Sequence, residues 1–370
     1  MRRTYSSPFS NLTHFISAVL NESLVETRKV QVTGKSTYVV SLPKKWVTSV
    51  QLRNGDSVVL VPLPDGTMLI NPKLKKSERE QTKKVIMVDS NDNEQLFRKF
   101  IGAYLAGYNL IEFRTNGNSP KNVRQDIRDL THSVIGPQLI EESSNIMVLR
   151  DLLDSSDFSM VKGIKRMYMI ARDMHQDAIG ILSTRNKDMA EDVQSRDQEV
   201  DKLYWMISKQ YNQIIRDVFF ADKMGVSTIE AQGYLLVART LERVADHAGR
   251  IAANAAKIDE KEELTPKIMA MDSEVIKLMD DAVSSFYQNK FDTANEVVNR
   301  AELLSHNIEN LSREVLSMRG EATNIVPLAY IVDSIERTRA YASDIGEAAI
   351  NHYFVMEYNT TMAKTATPTA

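Results

Sequence analysis

Glu242 and Asp246 stand one helical turn apart in the stretch Ala238–Ala256, ARTLERVADHAGRIAANAA. At that spacing their carboxylates project side by side from one helix. Two acids so placed repel unless a cation, a Lys or an Arg lies between them. The pair is either a solvated flank partnered by Arg243 and Arg250, or half of a metal site. Beside it, Ala238, Leu241, Ala245, Ala248, Ala252 and Ala255 recur at helical steps and form one small-residue face that another helix can approach closely. His247 reads as a surface or packing residue rather than a ligand.

A second chemical signal is charge. From Val25 to Lys76 there are about nine Lys and Arg against three Asp and Glu, a net of about +6, and from Ser77 onward the balance is about −10. A basic N-terminal module sits on an acidic body. Within it Gly34-Lys35-Ser36-Thr37 imitates the end of a phosphate-binding P-loop, but the earlier Gly such a loop requires is Lys29, so nucleotide binding is excluded there.

The whole chain sets the frame. Its 370 residues suffice for two or three domains with sizeable cores. It has no Cys, which excludes disulfides, thiolate metal sites and cysteine nucleophiles and suits a cytoplasmic location. A net charge of −3 demands neither nucleic acid nor membrane globally, and no apolar run approaches the roughly twenty residues of a bilayer span. Residues 1–24 read as an unstructured extension whose apolar patch is too short for a signal peptide.

Three kinds of element must position these residues. Residues 25–76 show strands at Lys29–Val32, Tyr38–Ser41, Ser57–Pro62 and Met68–Asn71, a helix at Pro43–Val50, and turns at Asn54-Gly55 and Pro64-Asp65-Gly66. So small a unit lacks a core of its own and should dimerise. After a charged linker, Lys73–Gln81, residues 82–152 alternate strand and helix: Lys83–Asp89, Asn93–Tyr108, Leu110–Thr115, Pro120–Ile135 and Ile146–Asp151. That is a small α/β layer, whose simplest role is to couple its neighbours. Residues 158–358 are helical throughout, with helices at Met160–Ser183, Lys187–Ala221, Thr228–Ile258, Pro266–Gln288, Phe291–Met318 and Asn324–Tyr358. Gly225 and a Ser227–Glu230 capping box separate the second from the third. The scattered Met residues, Met167 and Met279 among them, read as core fillers. From Asn359 to the end the chain reads as a disordered tail.

The helices form two sets of three. Leu241-Glu242-Arg243-Val244-Ala245-Asp246 in the third is echoed by Ile335-Glu336-Arg337-Thr338-Arg339-Ala340 in the sixth, and Asp177-Ala178-Ile179 by Asp281-Ala282-Val283. This is an internal duplication, 158–260 and 264–358.

With RDQEVDKLYWMI in the second helix and ERVADHAGRIA in the third, the duplicated unit resembles the PhoU family. Arg28-Lys29-Val30, Gly34-Lys35, the Leu42-Pro43 helix start and Gly55-Asp56 resemble the SpoVT/AbrB swapped-hairpin family, which includes MazE-type antitoxins. The body resemblance implies control of phosphate uptake, no enzymatic activity, docking to a phosphate transporter ATPase or a signalling protein, and metal on paired acidic motifs. Carried over, those motifs are Asp197 and Asp201 on the second helix and Glu242 and Asp246 on the third. Their oxygens suit Mg²⁺, Mn²⁺ or Fe. In the second repeat Asp246 becomes Ala340, and the Asp197/Asp201 pair falls on either Ala301/Ser305 or Ser305/Glu309. One metal site per chain is therefore expected, in the first repeat. No Glu-x-x-His pair accompanies the acids, against a di-metal enzyme. The head resemblance implies an intertwined homodimer that lays Arg28, Lys29 and Lys35 on DNA. The basic pair expected on its helix is Val47 and Thr48, and Lys44 and Lys45, a turn earlier, stand in. The alternative is a non-DNA-binding adaptor whose head only dimerises and whose body docks on a transporter's cytoplasmic subunits. The fold expected is thus mixed: an AbrB-like swapped-hairpin β head, an α/β middle domain, and an all-α body of two three-helix bundles.

Overall fold

Short β-rich runs broken by Gly turns give the head two hairpins. In the computed structural model, which describes residues 26–34, 36–62, 66–72, 82–88, 93–258 and 263–366, β1 (Gln31–Thr33) pairs antiparallel with β2 (Thr37–Val39) and β3 (Val59–Pro62) with β4 (Met68–Asn71). Gly34 and Gly66 turn the chain with φ of 68° and 82°, values that favour glycine. Between the hairpins lies α1 (Lys44–Ser49), with Pro43 at its N-cap. The expected 1–24 extension, Lys35, Pro64, Asp65, the 73–81 linker and 367–370 lie outside the described residues.

The two hairpins do not pair with each other. None of the head's described residues is buried. Val32 is 61% exposed and Tyr38 74%. Isolated two-stranded ribbons are marginal in water, so this unit needs a partner surface. Met1–Glu78 forms one compact unit and Arg79–Ala370 a second.

The second unit begins with the α/β layer: β5 (Lys83–Val88), α2 (Asn93–Leu105), β6 (Leu110–Thr115), α3 (Lys121–Ser133), β7 (Pro137–Glu142) and β8 (Ile146–Asp151). The sheet order is β5-β6-β8-β7, with β5 and β6 parallel and the other pairs antiparallel. Strand β7 is an addition to the sequence reading. It opens on Pro, carries Glu141 and Glu142, and bulges between Leu139 and Glu141, all tolerated on an edge strand. Those features hide it from a search for alternating apolar residues. The layer's core is built on Phe100, Tyr104, Phe113, Ile127, Met147 and Leu149.

The helical body follows: α4 (Met160–Thr184), α5 (Asp188–Ile214), α6 (Val218–Met224), α7 (Thr228–Ala255), α8 (Thr265–Gln288), α9 (Phe291–Ser317) and α10 (Ala322–Ala366). Two differences from the sequence reading have local causes. The helix expected over Lys187–Ala221 breaks at Ile214, because the Asp217 carboxylate caps a new helix by accepting from Phe219 N at 2.9 Å. The tail expected to be disordered from Asn359 is helical to Ala366. Ala, Met and Lys are good helix formers, and the first breaker is Pro368. The Ser227–Glu230 capping box forms as expected, and Gly225 closes α6 at φ 62°.

The duplication is visible in the packing. Arg196 on α5 meets Asp177 on α4 at 2.6 Å, and Arg300 on α9 meets Asp281 on α8 at 2.6 Å. These equivalent bridges set the register that the sequence left open: Asp197 corresponds to Ala301 and Asp201 to Ser305. The alanine face of α7 is wholly inside, with Ala238, Leu241, Ala245, Ala248, Ala252 and Ala255 all buried. α7 packs on α4, α5 and α10.

The layer and the body share a polar seam along α5. Lys209, buried on α5, pairs with Asp151 at the end of β8 and lies 4.4 Å from the centre of the Tyr104 ring. Asn212 Nδ2 donates to Leu105 O at 3.1 Å and Arg216 to Ala106 O at 2.7 Å. Gly136, at φ 111°, leaves room for Asp151, whose Oδ1 a Cβ there would meet at 2.2 Å.

Candidate metal centre and nucleic-acid interface

Helix α7 presents Glu242 and Asp246, and α5 presents Asp197 and Asp201. Packing of α5 against α7 brings the four carboxylates within each other's field. Burial, then the charge of Asp246, pushes the Asp197 carboxyl up to about 6. Burial followed by Asp197 and Asp246 pushes Asp201 up to about 6. Glu242 rises to about 7, from burial and then Asp246, Asp201 and Asp197, with Arg243 opposing. Asp246 also rises through burial, against the pull of Arg250 and Arg243. The expected intrahelical partners thus act only at a distance. Neither Arg243 nor Arg250 closes a contact ion pair with these acids among the described residues.

Two observations bear on whether a cation fits. Asp197 Oδ1 is buried with no hydrogen-bond partner among the described residues, an uncompensated cost for a carboxylate. The second repeat shows what happens when three of the acids are gone. There Ala301, Ser305 and Ala340 replace Asp197, Asp201 and Asp246, and Glu336 remains. The Arg339 guanidinium reaches Glu336 at 2.6 Å and the Ala301 carbonyl at 3.4 Å, while Ser305 Oγ donates to Glu336 at 3.4 Å. Arg339 corresponds to the buried Ala245. The second repeat carries its own cation, and the first has four acids and none. The donor set is all hard oxygen, suited to a hard divalent ion. Among the described residues, however, no three His, Cys, Asp or Glu stand close enough to hold an ion as they are placed.

A polar constellation that sequence reasoning missed lies between the repeats. His175 Nε2 is 3.0 Å from Thr338 Oγ1. His175 Nδ1 is 3.0 Å from Asp272 Oδ1, without hydrogen-bond alignment. Hydroxyl, imidazole and carboxylate come from α10, α4 and α8. All three residues are buried, so no substrate reaches the hydroxyl, and the group serves to join the repeats. No sequence spacing links residues so far apart.

In the head, Lys44 and Lys45 are exposed at the first turn of α1, and Lys29 is exposed beside β1. No acid accompanies the two lysines in that turn. Cations at a helix N-terminus oppose the dipole by roughly 0.3–1 kcal/mol each, so the helix does not gain from them. Arg28 is already paired with Glu26. The structure therefore leaves Lys29, Lys44 and Lys45 open for an anionic partner, engages Arg28, and does not describe Lys35.

The comparisons meet these features at both ends. Residues 164–255 match the PhoU domain. That span is α4 to α7, the repeat that holds all four acids. Residues 31–79 match the antidote-toxin recognition domain MazE, a bacterial antitoxin, over both hairpins of the head. The chain also aligns with a solved structure described as the phosphate transport system regulatory protein PhoU from Streptococcus pneumoniae, at 16% identity and a TM-score of 0.46, over 52% of this chain and 92% of that one. No curated protein matches the chain. The family-model matches agree with the resemblances read from residues, and the PhoU match covers the first repeat, where the acidic motifs are intact. No helix among the described residues is long and apolar enough to cross a membrane.

Proposed function

We propose that the chain is a non-enzymatic regulator of phosphate uptake or phosphate homeostasis whose head binds DNA as a homodimer. The observation that carries this reading is the joining, in one chain, of a MazE-like head to a PhoU-like body. The head's properties support DNA as its ligand. It has a basic excess, exposed Lys29, Lys44 and Lys45, and hairpins without a core that an interleaved second copy would complete. Such contacts reach mainly phosphates, so binding should be salt-sensitive and of modest sequence preference.

In the body, Asp197, Asp201, Glu242 and Asp246 would hold a hard divalent cation such as Mg²⁺, Mn²⁺ or Fe²⁺. When bound, the ion supplies the positive charge that Arg339 supplies in the second repeat. The exposed side of this cytoplasmic regulator would dock a transporter ATPase or a signalling protein.

A gel shift of the full chain on DNA upstream of phosphate-transport genes, at low salt, tests the head. Retardation is expected, with loss on Lys44→Glu/Lys45→Glu and a steep decline as salt rises. Absence of any shift at low salt would sink the DNA reading. It would leave the adaptor, in which the head only dimerises. The Arg28–Glu26 pair is the one observation favouring that second reading, since it occupies one of the expected DNA contacts.

A further inference from the structure

Between helices α7 and α10, at the seam of the two repeats, lies an open cleft of about 310 Å³. Arg243, Asp246, His247 and Arg250 line it from α7, and Asp333, Arg337 and Tyr341 from α10. Positions three and four apart share a helix face, so each helix contributes one contiguous strip. The duplication places Arg243 opposite its own counterpart Arg337, and His247 opposite Tyr341, whose rings lie 5.8 Å apart.

Several of the body's arginines are paired. Arg172, Arg196, Arg300 and Arg339 each close on a carboxylate. Arg243, Arg250 and Arg337 close on none among the described residues, yet all three line one cavity and are exposed to solvent. His247 is only 6% exposed, and its Nδ1 has no partner. An imidazole nitrogen there can take part in a hydrogen bond to a bound group. Two carboxylates against three guanidiniums leave the cavity cationic. Forked guanidiniums suit the several oxygens of a tetrahedral anion.

We propose that this seam is an oxyanion site that takes a phosphoryl-type group on Arg243, Arg250 and Arg337, with His247 as a further polar contact. The group is either free orthophosphate or the phosphate of a larger ligand. The inference goes beyond the DNA-binding reading and needs none of it.

Calorimetric titration of the full chain with inorganic phosphate, and separately with adenosine monophosphate, tests it. Saturable binding is expected, weakened about tenfold or more in Arg243→Gln/Arg337→Gln and less in Arg337→Lys, which keeps the charge but loses the fork. Arg98→Gln, on the distant α/β layer, should bind as the parent does. Circular dichroism of each variant establishes that it is folded. Binding of orthophosphate identifies the free anion, and binding of the monophosphate alone identifies the phosphate of a larger ligand. No binding of either, or equal binding by the folded double variant, overturns the proposal. Neither outcome touches the gel shift.

Discussion

Glu242 shows how position alone changes a residue's chemistry. In an isolated helix it would titrate as an ordinary glutamate with Arg243 beside it. Packing of α5 on α7 adds burial and the carboxylates of Asp197 and Asp201 to that of Asp246 on its own helix, and its pKa rises to about 7. A folded-state value above the unfolded one means the native protein holds a proton that the unfolded chain releases. Stability from this group is then present at acid pH and is lost as pH rises through about 7. In chelator, Glu242→Gln should raise the melting temperature at pH 8 by about 2–4 °C and leave it nearly unchanged at pH 5. Mn²⁺ should stabilise the parent at pH 8 more than the variant. Differential scanning fluorimetry at the two pH values reads both effects, and a variant less stable than the parent at pH 8 without metal would refute the repulsion. Arg339 makes the same point from the other repeat: its i,i+3 spacing to Glu336 is a property of one helix, whereas its contact with the Ala301 carbonyl is made between helices.

At the scale of elements, α5 does two jobs along its length. Its first half carries Asp197 and Asp201 toward α7. Its second half carries Lys209 and Asn212 to the α/β layer, and Gln210 donates to Ser155 O at 2.6 Å in the segment that joins layer and body. The layer is thereby bound to the helical body within one compact unit. Removing one member of a buried ion pair strands the other. Asp151→Ala should therefore lower unfolding stability by about 3–5 kcal/mol, measured by urea denaturation, with the loss concentrated in hydrogen-exchange protection of β8 and α5. A change below about 1 kcal/mol would mean that Lys209 is satisfied by the Tyr104 face and solvent instead. Neither end of this contact stands out in the sequence. A buried Lys is legible only after its neighbours are placed.

At the scale of the whole molecule, the two units differ in self-sufficiency. The 79–370 unit has cores in both its layer and its bundles, and the head has none. The head's exposed Val30, Val32, Tyr38, Leu60 and Met68 are the apolar surface that a second copy would cover. The chain should therefore behave as a dimer by analytical ultracentrifugation. A version beginning at residue 79 should be folded, should melt near the parent, and should lose dimerisation through the head. Tyr38→Asp in the full chain should shift the monomer–dimer equilibrium toward monomer by at least about tenfold, as expected for a charge placed in an apolar interface. A monomeric parent would remove the swapped-hairpin reading of the head.

The sequence by itself determined the class of each part: β-rich head, α/β layer, duplicated helical body, and the acids and bases available to each. These follow from local periodicity, turn residues and charge, which are properties of neighbours in the chain. It also located Ala238–Ala256 as the helix with a buried small-residue face, and all six face positions are inside. Tertiary structure alone decided which repeat register is real, because the Arg196–Asp177 and Arg300–Asp281 bridges are contacts between helices. It alone raised the carboxylates of the first repeat and set Arg339 beside the Ala301 carbonyl in the second. It also set His247, read as a surface or packing residue, against the Tyr341 ring in a cleft lined by three arginines. Burial and through-space charge depend on residues from different helices, and no spacing within one helix encodes them.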